Sequence, residues 1–268
     1  MAHILHRAFS ILACACRASV APNSPAGGPA ASAGPVDSNL IDDLIAANRI
    51  LTERGILDGY GHVSVRHPGN PQRYLMSRSV APELATAADI MEHDLDSNPI
   101  DARGRTPFLE RFIHGEIYKA RPDVNAVIHS HSPAIVPFGV SDVPLRPFFH
   151  MGAFLGAGVP IFEIRNVAGM TDLLVRNPEL GRALAHSLAD KPVVLMRGHG
   201  SAITGASIPN AVYHAVYLDV TARLSVEAKM LGGNITYLEP EECRLAMATI
   251  TGTMSRPWEL WKRKALAK

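Results

Sequence analysis

Residues 107 to 131 read PFLERFIHGEIYKARPDVNAVIHSH, and this stretch decides the fold class. Pro107, with its fixed φ and no N–H, suits a first helical position, and Phe108, Phe112, Ile113 and Ile117 follow at near-helical spacing. Pro122 stops that helix. The run NAVIHSH then reads as a buried strand, short, apolar and rich in β-branched residues. Alternate side chains on a strand share a face, so His129 and His131 point together and Ser130 points away. A helix that feeds a buried strand predicts an α/β chain.

Two imidazoles on one strand face can hold a metal ion, but a catalytic site generally takes three protein ligands and leaves one position open. The third candidate is His199, in the turn RGHG (197 to 200) that leaves the buried-strand signature PVVLM. Glycines on both sides of it let the backbone come close to whatever His199 touches. Glu110, one predicted helical turn before His114, offers a carboxylate as general base or as an exchangeable fourth ligand. His114 itself reads either as part of that site or as a histidine packed on its helix. Taken alone, H-x-H is a weak motif that also occurs on structural strands.

The combined pattern E-x(3)-H-x(3)-Y-x(2)-R-P-D-x-N-A-V-x-H-x-H, followed by a strand ending in HG, resembles the class II aldolase/adducin family, over roughly Asn39 to Glu239. The resemblance implies that His129, His131 and His199 bind one divalent metal ion per subunit and that Glu110 is the catalytic acid/base. It further implies a three-layer α/β/α sandwich with a mainly antiparallel central sheet, a homotetramer with sites near subunit interfaces, and a C-terminal tail, here with Trp258 and Trp261, that closes over a neighbour's site. Histidine and carboxylate donors suit zinc or manganese and admit cobalt or iron(II).

The chain departs from the family's sugar-phosphate aldolases at the phosphate site. Their G-N-x-S-x-R segment is Gly61-His62-Val63-Ser64-Val65-Arg66 here, and two serines before the glutamate are replaced by Phe108 and Leu109. Bulky apolar groups in place of hydroxyl donors would leave a phosphate unpaired, which argues for a flatter, aromatic substrate. Ser77-Arg78-Ser79 takes the place of another small-residue phosphate contact. Arg78 there reads either as a carboxylate clamp or as a surface ion-pair residue. These departures look similar to the family's decarboxylases of hydroxylated aromatic dicarboxylates. The expected function is therefore a metal-dependent lyase releasing carbon dioxide, with an aldolase or epimerase of a small hydroxy acid as the alternative. An iron-dependent oxygenase and a non-enzymatic adducin-like module are further rivals, and the intact Glu110, His129, His131 and His199 set opposes the last.

Composition narrows the classes. With 268 residues, 47% of them hydrophobic, the chain can bury a large core in one domain. The net charge of +1 and the absence of any basic run longer than WKRK give no case for nucleic acid or an anionic membrane, leaving a small molecule as the partner. No stretch reaches the roughly 18 apolar residues of a spanning helix. The three cysteines, Cys14, Cys16 and Cys243, form no readable framework. Residues 1 to 36 contain no acidic residue and include the low-complexity APNSPAGGPAASAGP. They read as a disordered extension, or in the minority reading as a targeting peptide, ahead of one domain at 37 to 268. A cytoplasmic location is expected.

Other expectations follow in chain order. Ser38 caps an amphipathic helix that Gly55 ends, and GYGHVSVRHPGNPQRYLMSRS makes a strand hairpin. His62 is a candidate substrate contact, whereas His67 and His93 read as solvated. His150, in the aromatic loop FFHMG, and Tyr217, on the longest helix, are further substrate candidates beside Ser77 and Arg78. Tyr213 and Arg197 are weaker ones. A strand is predicted over 159 to 164 and two short helices around Pro178. The long helix takes Ser207 as N-cap and Gly232 as its end, and its apolar residues exceed a single stripe, as burial on two faces requires.

Overall fold

A computed structural model describes residues 31–267, so Cys14, Cys16 and nearly all of the N-terminal extension lie outside the described residues. The elements are α1 (Ser38–Glu53), β1 (His62–Arg66), β2 (Arg73–Ser77), β3 (Ile90–Asp94), α2 (Arg111–Ala120), β4 (Ala126–Ser130), α3 (Val136–Gly139), β5 (Ile161–Phe162), α4 (Arg165–Ala168), α5 (Pro178–Leu188), β6 (Val193–Met196), β7 (Gly200–Gly205), α6 (Ile208–Met230), α7 (Pro240–Thr251) and α8 (Ser255–Leu266). No helix among the described residues is long and apolar enough to cross a membrane.

The strands form one sheet in the order β3-β2-β1-β4-β7-β6-β5. It is mixed, where the resemblance implied a mainly antiparallel sheet: β5 joins β6 in parallel, and the other neighbours pair antiparallel. The two-residue side alternation of the strands divides the core. Val63, Val65, Ile128 and Ile203 pack with α1, α6 and α8 on one face, while Tyr74, Met76, Val127 and Val194 pack with α2 and α5 on the other. That gives three layers. β1 and β4 bury every position, as expected of strands covered on both sides.

Several local expectations need correction. Asp37, not Ser38, caps α1, accepting the Asn39 amide at 2.8 Å. The helix expected from Pro107 begins at Arg111 with Glu110 as its N-cap residue, and the Glu110 carboxylate makes no capping bond because it faces the site described below. Instead of two helices around Pro178, one helix starts there, capped by Asn177, and residues 171–176 run as irregular chain. The strand predicted over 159 to 164 shortens to β5. Trp258 and Trp261 are buried against α1 and α6 of their own chain rather than reaching out. His67 is buried and its Nδ1 accepts the Gly69 amide at 3.0 Å. His93 is fully buried, stacked on Tyr74 with ring centroids 5.0 Å apart.

Ser207 does cap α6, and the hairpin β1–β2 forms as read. The alternation also brings chemistry to one sheet end. β1 pairs with β4 so that His62 lies directly opposite His129. Gly200 lets β7 approach β4, since a Cβ there would overlap the Ser130 carbonyl.

Burial makes several histidines acid-sensitive, two of them outside the site described below. His93 and His214 are each pushed down to about 4 by burial, the backbone carbonyl of Thr204 partly opposing this at His214. Between pH 6.5 and about 4 the unfolded chain binds protons that the folded chain excludes, so stability falls as pH falls through that window. Urea titrations of metal-free protein should show the decline, and His93→Phe should make it shallower. An unchanged slope would remove His93 as a cause.

Candidate metal centre

The centre stands where the C-terminal end of β4 meets the turn before β7, on the face covered by α2 and α5. His129 is the penultimate residue of β4 and His131 follows its end. His199 closes a tight turn, its amide bonded to the Met196 carbonyl at 3.0 Å, with Gly198 at φ 67 supplying the left-handed step. Glu110 comes in from the start of α2.

One ligand atom from each of Glu110, His129, His131 and His199 lies within 4.8 Å of the others. The His131 Nε2 is 2.9 Å from His129 Nε2 and 3.0 Å from His199 Nε2, and the Glu110 Oε2 is 3.3 and 3.4 Å from the latter two. The remaining nitrogens decide the tautomers. His129 Nδ1 lies 3.0 Å from the Ser201 carbonyl and His199 Nδ1 lies 3.0 Å from the Leu173 carbonyl. A carbonyl accepts, so both Nδ1 atoms carry the proton and both Nε2 atoms turn lone pairs inward. Two lone pairs and a carboxylate oxygen then converge, and one proton on His131 cannot satisfy all three. A divalent cation does, so the residues fit a three-histidine metal site with a carboxylate beside it.

In the metal-free protein a proton can stand in for the cation between Glu110 and the histidines. Burial alone would raise Glu110, but the imidazoles of His129 and His199 outweigh it and hold the carboxyl well below the usual carboxylate range. Burial lowers His131 to about 4, helped by His129 and His199, which keeps it neutral and able to ligate. Burial likewise lowers His199, but the hydrogen bond and charge of Glu110 leave it raised overall.

Beside the metal centre runs a buried polar chain. His62 Nδ1 meets His114 Nε2 at 2.6 Å, His114 Nδ1 meets Ser64 Oγ at 2.6 Å, and Ser64 Oγ meets the Tyr118 hydroxyl at 2.8 Å. Burial lowers both histidines, His62 further through His114 and His114 further through His129. The His62 ring packs between Phe108 and His129, 4.5 and 5.1 Å away.

A cavity of about 370 Å³ opens onto Glu110, His62 and His131. Its wall is largely apolar, formed by Tyr60, Val80, Ala81, Phe108, Leu109 and Leu174, with Ser79 among the polar exceptions. A larger cavity of about 550 Å³ lies by Arg66, His67 and Asn125, toward the opposite end of β1. Among the described residues it gathers no metal-type donor set, and the Arg66 guanidinium is already given to the carbonyls of Pro71, Tyr118, Arg121 and Val124. The chemistry belongs to the smaller one.

The structure thus brings together Glu110, His129, His131, His199 and His62. It does not bring in the other candidates. Ser77 is buried at the end of β2. Arg78 pairs with Asp89 at 2.6 Å and is absent from the cavity wall. His150 is exposed at the start of the 3-10 turn His150–Ala157, and Tyr217 packs with Phe149, Tyr213 and Trp261, both on the α6 side of the sheet. Tyr213 gives its hydroxyl to the Met151 carbonyl, and Arg197 pairs with Glu163 at 2.7 Å. Missed from the sequence were Tyr60, Val80, Ala81 and Leu174, whose only signal is nearness to His62 or to the Ser77-Arg78-Ser79 segment for the first three. The Leu173 carbonyl and Val175 amide carry no sequence signal.

A family model described as "Class II Aldolase and Adducin N-terminal domain" matches residues 42–226. The chain belongs to that family. Among relatives of this class II aldolase/adducin chain, the decarboxylase tropJ of Talaromyces stipitatus is 36% identical over 244 residues, covering 82% of this chain and 92% of the relative. The 3,4-dihydroxyphthalate decarboxylase of Arthrobacter keyseri is 34% identical, covering 71% and 79%. The solved L-fuculose 1-phosphate aldolase of Glaciozyma antarctica superposes with a TM-score of 0.71 at 21% identity, over 87% of this chain and 94% of that one, which supports the shared fold.

Stripped protein reloaded with a divalent ion should gain thermal stability, about 2.7 kcal/mol at a hundredfold excess over Kd. His129→Ala and His199→Ala should bind the ion too weakly to show that gain. Equal stabilisation of wild type and variants would place the ion elsewhere.

Proposed function

We propose that the protein is a divalent-metal-dependent lyase that releases carbon dioxide from a hydroxylated aromatic or heteroaromatic acid. The observation that carries this reading is the cavity: a largely apolar wall at a three-histidine, one-carboxylate centre, with Phe108 and Leu109 lining it. The decarboxylases among the relatives support it.

A divalent cation held by His129, His131 and His199 supplies positive charge beside the oxygen of the substrate on which negative charge develops as the carbon–carbon bond breaks. The chain's own residues do the rest. Phe108, Leu109, Val80, Ala81 and Leu174 pack the ring and exclude water from it. Glu110, kept ionised, takes the proton of a ring hydroxyl through Oε2 and afterwards gives it to the ring carbon that has lost its carboxylate, so the product leaves as its phenolate and takes a proton from water to restore the hydroxyl. The His62 Nδ1 is spent on His114, which leaves Nε2 as the nitrogen for a substrate oxygen. Arg78 has no part in this reading, because its guanidinium is held by Asp89.

Zinc or manganese is the expected ion, with cobalt and iron(II) admitted by the same donors. A homotetramer is the expected assembly, and exposed Met170, Met230 and Leu231 are apolar surface that an assembly would cover.

Carbon dioxide release from a panel of ortho-hydroxy aromatic dicarboxylates, measured on stripped and reloaded protein, tests the reading. Release should require metal and vanish in His129→Ala. Glu110→Gln should keep the metal and lose on the order of 10²–10⁴ in turnover. Silence across the panel with metal bound, and aldehyde formation from a small hydroxy acid, would instead select aldol cleavage, while oxygen uptake would select the oxygenase.

A further inference from the structure

Residues 171–176 form no regular structure, yet they touch the metal centre twice through main-chain atoms alone. The Leu173 carbonyl accepts from His199 Nδ1 at 3.0 Å, and the Val175 amide donates to Glu110 Oε1 at 2.9 Å. Between these two bonds Leu174 contributes to the wall of the substrate cavity. Two more amides of the segment are engaged. Leu173 N–H donates to Thr171 Oγ1 at 3.0 Å, Leu174 N–H to Asp172 Oδ1 at 3.3 Å, and the side chains of Asp172 and Arg176 pair. Leu173 stands at φ 68, a left-handed conformation that residues with a branched or bulky side chain rarely adopt. Its side chain packs against the core on the α2 and α5 face, and Val175 is fully buried there.

We infer that residues 171–176 are a main-chain strap that positions the metal centre, the left-handed turn at Leu173 aiming its carbonyl at His199 and the Val175 amide fixing the orientation of Glu110. Leu173 and Val175 are positioning residues in this account, since neither touches the ion or the substrate. The strap fixes two things a ligand side chain cannot fix for itself. The carbonyl forces the His199 proton onto Nδ1 and so turns the Nε2 lone pair inward. The amide occupies one carboxylate oxygen of Glu110, so that a single oxygen, Oε2, faces the histidines. The proposal rests on the metal reading of Glu110, His129, His131 and His199 and adds to it what sets the site's affinity.

Zinc affinity, measured by competition with a chromophoric chelator, separates backbone from side chain at position 173. Asparagine tolerates the left-handed conformation and valine resists it, although valine is closer to leucine in polarity. Leu173→Asn should bind zinc within about threefold of wild type, whereas Leu173→Val should bind about 10–100-fold more weakly, the usual effect of losing a ligand's outer partner. Equal affinity in wild type and Leu173→Val, or a loss in Leu173→Asn as large as in Leu173→Val, would overturn the strap. Should Leu173→Val not fold, replacing the Val175 amide by an ester deletes only the N–H. An affinity about tenfold lower is then expected, and an unchanged one would overturn the proposal. Failure of the wild type itself to bind zinc, manganese, cobalt or iron(II) would sink the metal reading instead, a distinct outcome.

Discussion

The structure turns on the convergence of imidazole lone pairs at one point. A neutral histidine offers a lone pair on one nitrogen only if the other carries the proton, and that proton needs an acceptor. In this chain the acceptors are main-chain carbonyls, Ser201 for His129 and Leu173 for His199. One belongs to β7 and the other to irregular chain, so the site exists only once a sheet neighbour and the segment at 171–176 are both in place. The fold therefore supplies more than a scaffold for ligands, because it assigns their tautomers.

The same dependence explains which parts of the molecule were legible in the sequence. Local chemistry could be read directly: the apolar run of NAVIHSH, the turn at Gly198, the Ser207 cap and the shared face of His129 and His131. The mixed sheet could not be, since the strand at 159 to 164 is legible but nothing in its residues says that Ile161 and Phe162 pair in parallel. The helix start was misplaced because Pro107 and the aromatic spacing suit a helix, whereas Glu110 is held toward the histidines and the chain before it turns instead.

Site residues divide along the same line. The four metal-centre candidates carry spacing that survives in sequence, and His62 came in through its register opposite His129. Arg78 and His150 stand out in sequence by residue type and loop position and Tyr217 by its place on the long helix, and each finds a nearer partner or the other face of the sheet. His93 and His67 looked solvated because polar neighbours surround them in sequence, but tertiary packing buries both. Contacts made by carbonyls and amides are invisible to any reading of side chains.

The chain of His62, His114, Ser64 and Tyr118 has a consequence of its own. Each of its three links holds one proton, and the links can all point toward the cavity or all point toward Tyr118. Reversing them turns His62 Nε2 from an N–H into a bare nitrogen while every member stays uncharged. The same imidazole can therefore greet a hydroxyl as an acceptor and a carboxylate as a donor, and the switch relays one proton along the chain, the Nε2 proton leaving to the cavity as the Tyr118 end takes one up.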